Sequence, residues 1–226
     1  MNTTNLIRWA GVSAMVAGSF YVIVGMFHPA NHLSSVNTQW TIIHTLATAM
    51  CLLFLPGITG IYVRQAKAAG WLGLAGFLLY SLSWMLTALF TFTEAFFLPL
   101  LAAKTPALAE DFLGIFTSSA GNMNFGFLTT LWTLTGLLYM LGGALFGLAT
   151  FRAGILPRWA AILLVIGSVL APVAALLPLE QQPKVALPVG IALAWLGYAL
   201  WSERREYAAE RIPGRASPQL GQSGAE

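Results

Sequence analysis

The sequence predicts an all-α fold, a six-transmembrane-helix bundle, and three observations carry that expectation. Of 226 residues, 58% are hydrophobic and 8% charged, where a soluble domain carries roughly 25% charged residues. The mean hydropathy is +0.75. The charges are also spaced far apart: none falls between Arg8 and Arg64, Lys67 and Glu94, Asp111 and Arg152, Arg158 and Glu180, or Lys184 and Glu203. A water-soluble globule cannot cover its surface with so few charges. This composition excludes a soluble enzyme, a disordered chain and a nucleic-acid binder.

A membrane helix needs about 20 mostly apolar residues. The charge-free runs place spans at 8–27, 40–63, 70–93, 125–150, 159–178 and 184–202. The first run holds two spans, divided by the polar stretch from His28 to Asn37. Its apolar stretch is longer than a signal-peptide core and ends without a small-x-small site, so it reads as a retained helix. Trp9, Trp71 and Trp159 open helices and Trp201 closes the last, as indoles do at the headgroup level. Pro157 suits a helix start, and Pro56-Gly57 and Ala171-Pro172 are expected to kink the second and fifth helices. Between the third and fourth spans, Pro106 to Phe116 reads as a short interfacial or lid-like helix, with Glu110 and Asp111 opposite Leu108, Phe112, Ile115 and Phe116. Residues 1–202 thus form one membrane domain. Residues 203–226 form a charged cytoplasmic tail, helical at first and disordered beyond Ile212.

The bases set the expected orientation. Arg8, Arg64, Lys67, Arg152, Arg158, Arg204, Arg205, Arg211 and Arg215 fall on one side of a six-span map, leaving only Lys104 and Lys184 on the other. The acids divide evenly, so the asymmetry belongs to the bases, and the positive-inside rule puts both termini in the cytoplasm.

Small residues recur at packing intervals: Ala10, Ala14 and Gly18; Gly143 and Gly147; Gly190, Ala194 and Gly197. They let backbones approach closely in lipid, within one chain or across a homo-oligomer seam. A weak echo at an offset of 88 residues aligns Thr41, Thr45, Leu46, Arg64 and Trp71 with Thr129, Thr133, Leu134, Arg152 and Trp159, the pattern a repeated helix hairpin would leave. Cys51 is the single cysteine, which excludes an intramolecular disulfide and a thiolate cluster; in its apolar run it reads as a buried hydrophobe.

The polar residues that could carry function gather toward the outer side. His28, His32, His44 and Glu94 are a candidate metal set, because neutral imidazoles and a carboxylate suit zinc or copper. His28 and His32 share a helix face only if Pro29 opens a short helix. Haem fits less well, since only His44 looks embedded. His44, Glu94, Asn122 and Asn124 are the candidate ligand-binding residues. Thr87, Thr91, Ser81, Ser83 and the series Thr129, Thr130, Thr133, Thr135 could line a weakly polar path, although hydroxyls in apolar helices commonly bond back to their own carbonyls. No G-x-S-x-G elbow, Walker loop, G-x-G-x-x-G or H-E-x-x-H is present, so no catalytic residue is assigned and no resident cofactor is the first expectation.

The stretch Arg152-Ala153-Gly154-Ile155-Leu156-Pro157-Arg158-Trp159, together with the Trp-Leu-Gly-Tyr-Ala-Leu-Trp ending at 195–201, resembles bacterial six-helix integral membrane proteins known only as domains of unknown function. That resemblance implies a bacterial cytoplasmic membrane and no known activity. The expected function is a non-catalytic membrane protein whose outer-side cavity binds, senses or transports an apolar or amphiphilic small molecule. Two alternatives are a metal- or haem-bearing enzyme built on the outer His/Glu cluster, and an accessory subunit of a larger membrane complex. Lipid is the expected partner throughout.

Overall fold

Asn37 starts the longest helical stretch: its side chain accepts a hydrogen bond from the Trp40 amide (3.2 Å), satisfying one of the free amides at a helix start. In the computed structural model, which describes residues 3–117, 123–178 and 180–210, every regular element is helical. They are α1 (Thr3–Phe27), α2 (Thr38–Phe96), α3 (Leu98–Lys104), α4 (Pro106–Thr117), α5 (Phe127–Ala153), α6 (Arg158–Val169) and α7 (Leu187–Glu210). Three 3₁₀ turns, Leu33–Ser35, Ala171–Leu176 and Gln182–Ala186, join them.

α2 is two helices in one. Its backbone is helical except at Gly70, which lies at φ 55°, ψ −153°. Only glycine adopts that conformation without a Cβ penalty, and it divides α2 into a first arm (38–69) and a second (71–96). The expected spans at 40–63 and 70–93 are therefore both helical, but no separate loop divides them. Pro56 does not interrupt the helical angles of the first arm. Gly154, at φ 63°, ψ 14°, takes the left-handed conformation that ends α5 before α6. The fifth span departs furthest from expectation. Its α-helix ends at Val169 instead of continuing to 178, because Pro172 offers no amide to the next turn and the chain tightens into a 3₁₀ turn.

Each bundle segment lies beside its neighbour in sequence, and the first meets the last. Gly57 and Gly60 of the first arm pack on Ala14 and Ala10 of α1; Gly76 of the second arm packs on Phe146 of α5, and Gly142 of α5 on Tyr80 of the second arm. Gly147 meets Ala161 and Val165, Gly167 meets Val189, and Gly11 and Gly18 face Gly197 and Gly190. The register runs antiparallel at each seam where two such contacts are seen. The small-residue spacings are thus used inside the chain. A Cβ at Gly18 would stand 2.5 Å from the Gly190 carbonyl oxygen, so glycine is what permits this approach.

The middle of the ring is aromatic. Trp84 meets Phe54 (ring centroids 4.4 Å), Tyr21 (5.3 Å), Tyr139 (5.6 Å) and Tyr80 (5.7 Å). Such pairs contribute about 0.5–1.5 kcal/mol each beyond area burial. Cys51 is buried in this core, as expected. Around it the outer surface is apolar: Ile42, Leu52, Val63, Leu78, Met85 and Leu89 are all more than half exposed along α2 alone. Soluble monomers do not expose so continuous an apolar surface. Four helical stretches, Asn5–Phe27, Thr38–Lys104, Phe127–Ala153 and Gln182–Ser202, are long and apolar enough to cross a membrane.

The segment between α2 and α5 folds back over one end of the bundle. α4 matches the helix expected at 106–116: Phe112 and Ile115 are buried and Glu110 is exposed. Its apolar face joins Trp40 and Leu98 in a second apolar cluster, with Trp132 and Leu33 against it. The helical start of the tail extends to Glu210, and the expected disorder beyond Ile212 lies outside the described residues.

Candidate functional site

Under that cap lies a cavity of about 330 Å³. Its walls follow helical periodicity, with Tyr21, Val24, Gly25 and then His28 from α1 and the residue after it, Trp84, Thr87, Thr91 and Glu94 from the second arm, and Trp132, Thr135, Gly136 and Tyr139 from α5. Residues spaced by three or four share a helix face, so these three faces converge on the chamber, and Ala47 and Met50 of the first arm with Gln182, Pro183 and Ala186 of the last 3₁₀ turn complete its lining. The floor is the aromatic centre, and the mouth carries His28, Asn31, Glu94, Phe116 and Trp132. From Trp84 to Glu94 the wall rises roughly 15 Å at 1.5 Å per residue. Gly136 lines the cavity and is exposed, so the wall is open on its side.

The mouth holds a buried polar cluster. His44 is fully buried and Glu94 is 6% exposed; His44 Nε2 lies 3.6 Å from Glu94 Oε1. Trp40, one turn before His44, stacks on its ring (centroids 4.1 Å, planes 19° apart), and Trp40 Nε1–H donates to the Glu94 carbonyl oxygen (2.9 Å). One indole thereby ties the start of α2 to its far end. The His28 ring sits 4.8 Å from that of His44. His44 Nδ1 donates to the Trp40 carbonyl (2.9 Å) and His28 Nδ1 to the Pro29 carbonyl (2.7 Å). A carbonyl only accepts, so these bonds fix the proton on Nδ1 and leave each neutral ring an accepting Nε2. Burial holds His28 below the usual imidazole range, and the neighbouring His44 adds to the effect.

Of the residues singled out in the sequence, the structure brings His28, His44 and Glu94 together. It takes His32 elsewhere. Residues 28–32 are not helical, so His28 and His32 share no helix face; His32 lines a separate, smaller pocket with Glu110. Among the described residues no group of three His, Cys, Asp or Glu side chains is arranged to hold a metal ion. Asn124 serves its own loop: its side-chain oxygen accepts from the Gly126 amide (2.7 Å) at the start of α5. Asn122 lies outside the described residues. Of the threonines, Thr87, Thr91 and Thr135 line the cavity while Thr129, Thr130 and Thr133 do not; Thr87 donates to the Ser83 carbonyl (2.8 Å) and Thr135 to that of Leu131 (2.7 Å).

Sequence reasoning missed Trp40, Asn31 and the aromatic floor. The signals were present. Trp40 stands four before His44, and Trp84, Thr87, Thr91 and Glu94 recur at one-face spacing. A second buried polar contact, Gln65 Nε2 donating to Thr150 Oγ1 (2.7 Å), joins the first arm to α5 near the Gly70 end and plays no part in the cavity.

Comparison with protein-family models, curated proteins and solved structures finds no match to this chain.

Proposed function

We propose that this chain is a multi-pass membrane protein that binds an apolar or amphiphilic small molecule in the cavity beneath α3 and α4, without catalysing a reaction on it. The observation that carries the reading is the cavity itself. It has the size of a small-molecule site, its walls are mainly apolar, and its carboxyl and imidazole groups sit at one end. The opening at Gly136 gives an apolar ligand a route in from the surrounding lipid. The test is a titration of the full chain in lipid nanodiscs with octanol, read by tryptophan fluorescence, because Trp84 and Trp132 line the chamber. Saturable quenching is expected; a response linear in octanol, as for partition into lipid, would contradict the reading.

The membrane arrangement that supports this function has all six bundle segments crossing, α2 crossing twice around Gly70 and the short α6 completing its passage with the 3₁₀ turn after it. The base-rich end, with Arg8, Arg64, Lys67, Arg152 and Arg158, faces the cytoplasm with both termini, and the cavity faces outward. The bacterial cytoplasmic membrane is the setting, on the strength of the helix-entrance motif at 152–159. Single cysteines replacing the exposed Lys67 and Glu110, in a Cys51→Ala background, test the sidedness. An impermeant maleimide added to intact cells should label position 110 and not position 67; the reverse pattern would invert the topology.

A further inference from the structure

Among the described residues, the buried groups that lack a hydrogen-bond partner around the cavity mouth are acceptors, and the unpaired donor of the chamber wall, Trp84 Nε1, lies at the floor. Glu94 offers a carboxylate, and at 3.6 Å the His44 contact is longer than a hydrogen bond, so the carboxylate keeps its accepting capacity. His44 Nε2 is buried without a hydrogen-bond partner, and so is the side-chain oxygen of Asn31. The His28 proton is spent on the Pro29 carbonyl, and those of Thr87 and Thr135 on helix carbonyls, which leaves lone pairs. No lysine or arginine is among the described residues that line the chamber. Buried acceptors left without donors forfeit the hydrogen bonds they had in water, so the ligand that fits best brings the donors and a positive charge.

From this we infer that the ligand is an amphiphile with a protonated amine head group: its ammonium N–H groups meet Glu94 and the Asn31 side-chain oxygen, and its apolar body lies among Tyr21, Trp84, Trp132 and Tyr139. The inference rests on the proposed binding function and specifies its ligand class. An ammonium supplies up to three donors from one point, and the surrounding rings favour a cation further. A cavity of about 330 Å³ corresponds to roughly eleven water volumes at about 30 Å³ each, which suits an amine of octyl length.

Four probes of equal chain length, octanol, octylammonium, octyltrimethylammonium and octanoate, are titrated by tryptophan fluorescence against the full chain in nanodiscs. Octylammonium should bind at least tenfold more tightly than octanol, with octyltrimethylammonium between them because it has charge but no N–H, and octanoate weakest. Glu94→Gln should abolish the preference for octylammonium over octanol. Asn31→Leu, outside the helices and therefore less exposed to misfolding, should lower the ratio of octylammonium to octanol affinity several-fold. Equal affinities for octanol and octylammonium, tighter octanoate, or an undiminished preference in both variants would overturn the inference while leaving the cavity a binding site. Zinc that displaces octanol at micromolar concentration would also overturn it, in favour of a metal. Failure of all four probes to saturate would remove the binding function itself.

Discussion

Gly18 and Gly136 are the same residue in opposite surroundings. At Gly18 an added Cβ would meet the backbone of α7 at 2.5 Å, whereas at Gly136 it would meet nothing within 4 Å. At Gly18 the α1–α7 seam closes backbone on backbone, and the space beside it is an open groove on the outer face, lined by Val22, Ile23, Ile191 and Trp195. At Gly136 a small residue stands where aromatic and threonine side chains from three helices prop the bundle apart. In an apolar bundle, then, aligned glycines mark where helices seal, and an unmatched glycine beside large rings marks where space is left.

That contrast can be broken at several points. Gly18→Leu should cost about 3 kcal/mol or more through overpacking against an unyielding backbone, read as a large fall in Tm in nanodiscs; a Tm within a degree or two of the parent would mean that the seam is looser than this close approach requires. A smaller effect comes from pH. His28 is held below the usual imidazole value in the folded chain, so below about pH 6.5 the unfolded chain binds the proton that the folded chain refuses. Stability should therefore be full above about pH 6.5 and fall as the pH drops from there toward the folded value. The slope is at most about 1.4 kcal/mol per pH unit, and the loss levels off below the folded value. His28→Gln should flatten this slope, and an unchanged slope would place the titrating group elsewhere. The smallest effect is a gain: Gly136→Ala replaces a poor helix former at an unobstructed position and should stabilise by about 0.5–1 kcal/mol, and a loss of stability there would contradict the open wall.

The helices were legible because long apolar helices carry little charge along their length, so gaps between charges map onto helices. The stop at Val169 was less so: Pro172 announced a disturbance, but whether a proline bends a helix or ends it depends on what the freed carbonyls can reach. Small-residue spacing gave the packing faces of α1, α5 and α7 without naming their partners, since a seam within a chain and a seam between chains use the same residues. For the site, His28, His44 and Glu94 could be gathered because all three fall near helix ends on one side. His32 could not be told from them, as only the 3₁₀ turn at Leu33–Ser35 carries it away. Asn31 comes from the connection between α1 and α2 and the aromatic floor from α1, α2 and α5, and their convergence is a property of the ring of helices rather than of any local pattern.

The chamber beneath the cap is the proposed binding site, and Gly136→Leu is the sharpest probe of it, because a Cβ there meets nothing within 4 Å and a longer side chain would narrow the opening. Octanol titration of this variant in nanodiscs should lose saturable tryptophan quenching while its Tm stays at or above that of the parent. Saturable quenching with unaltered affinity would show that the ligand does not enter this space.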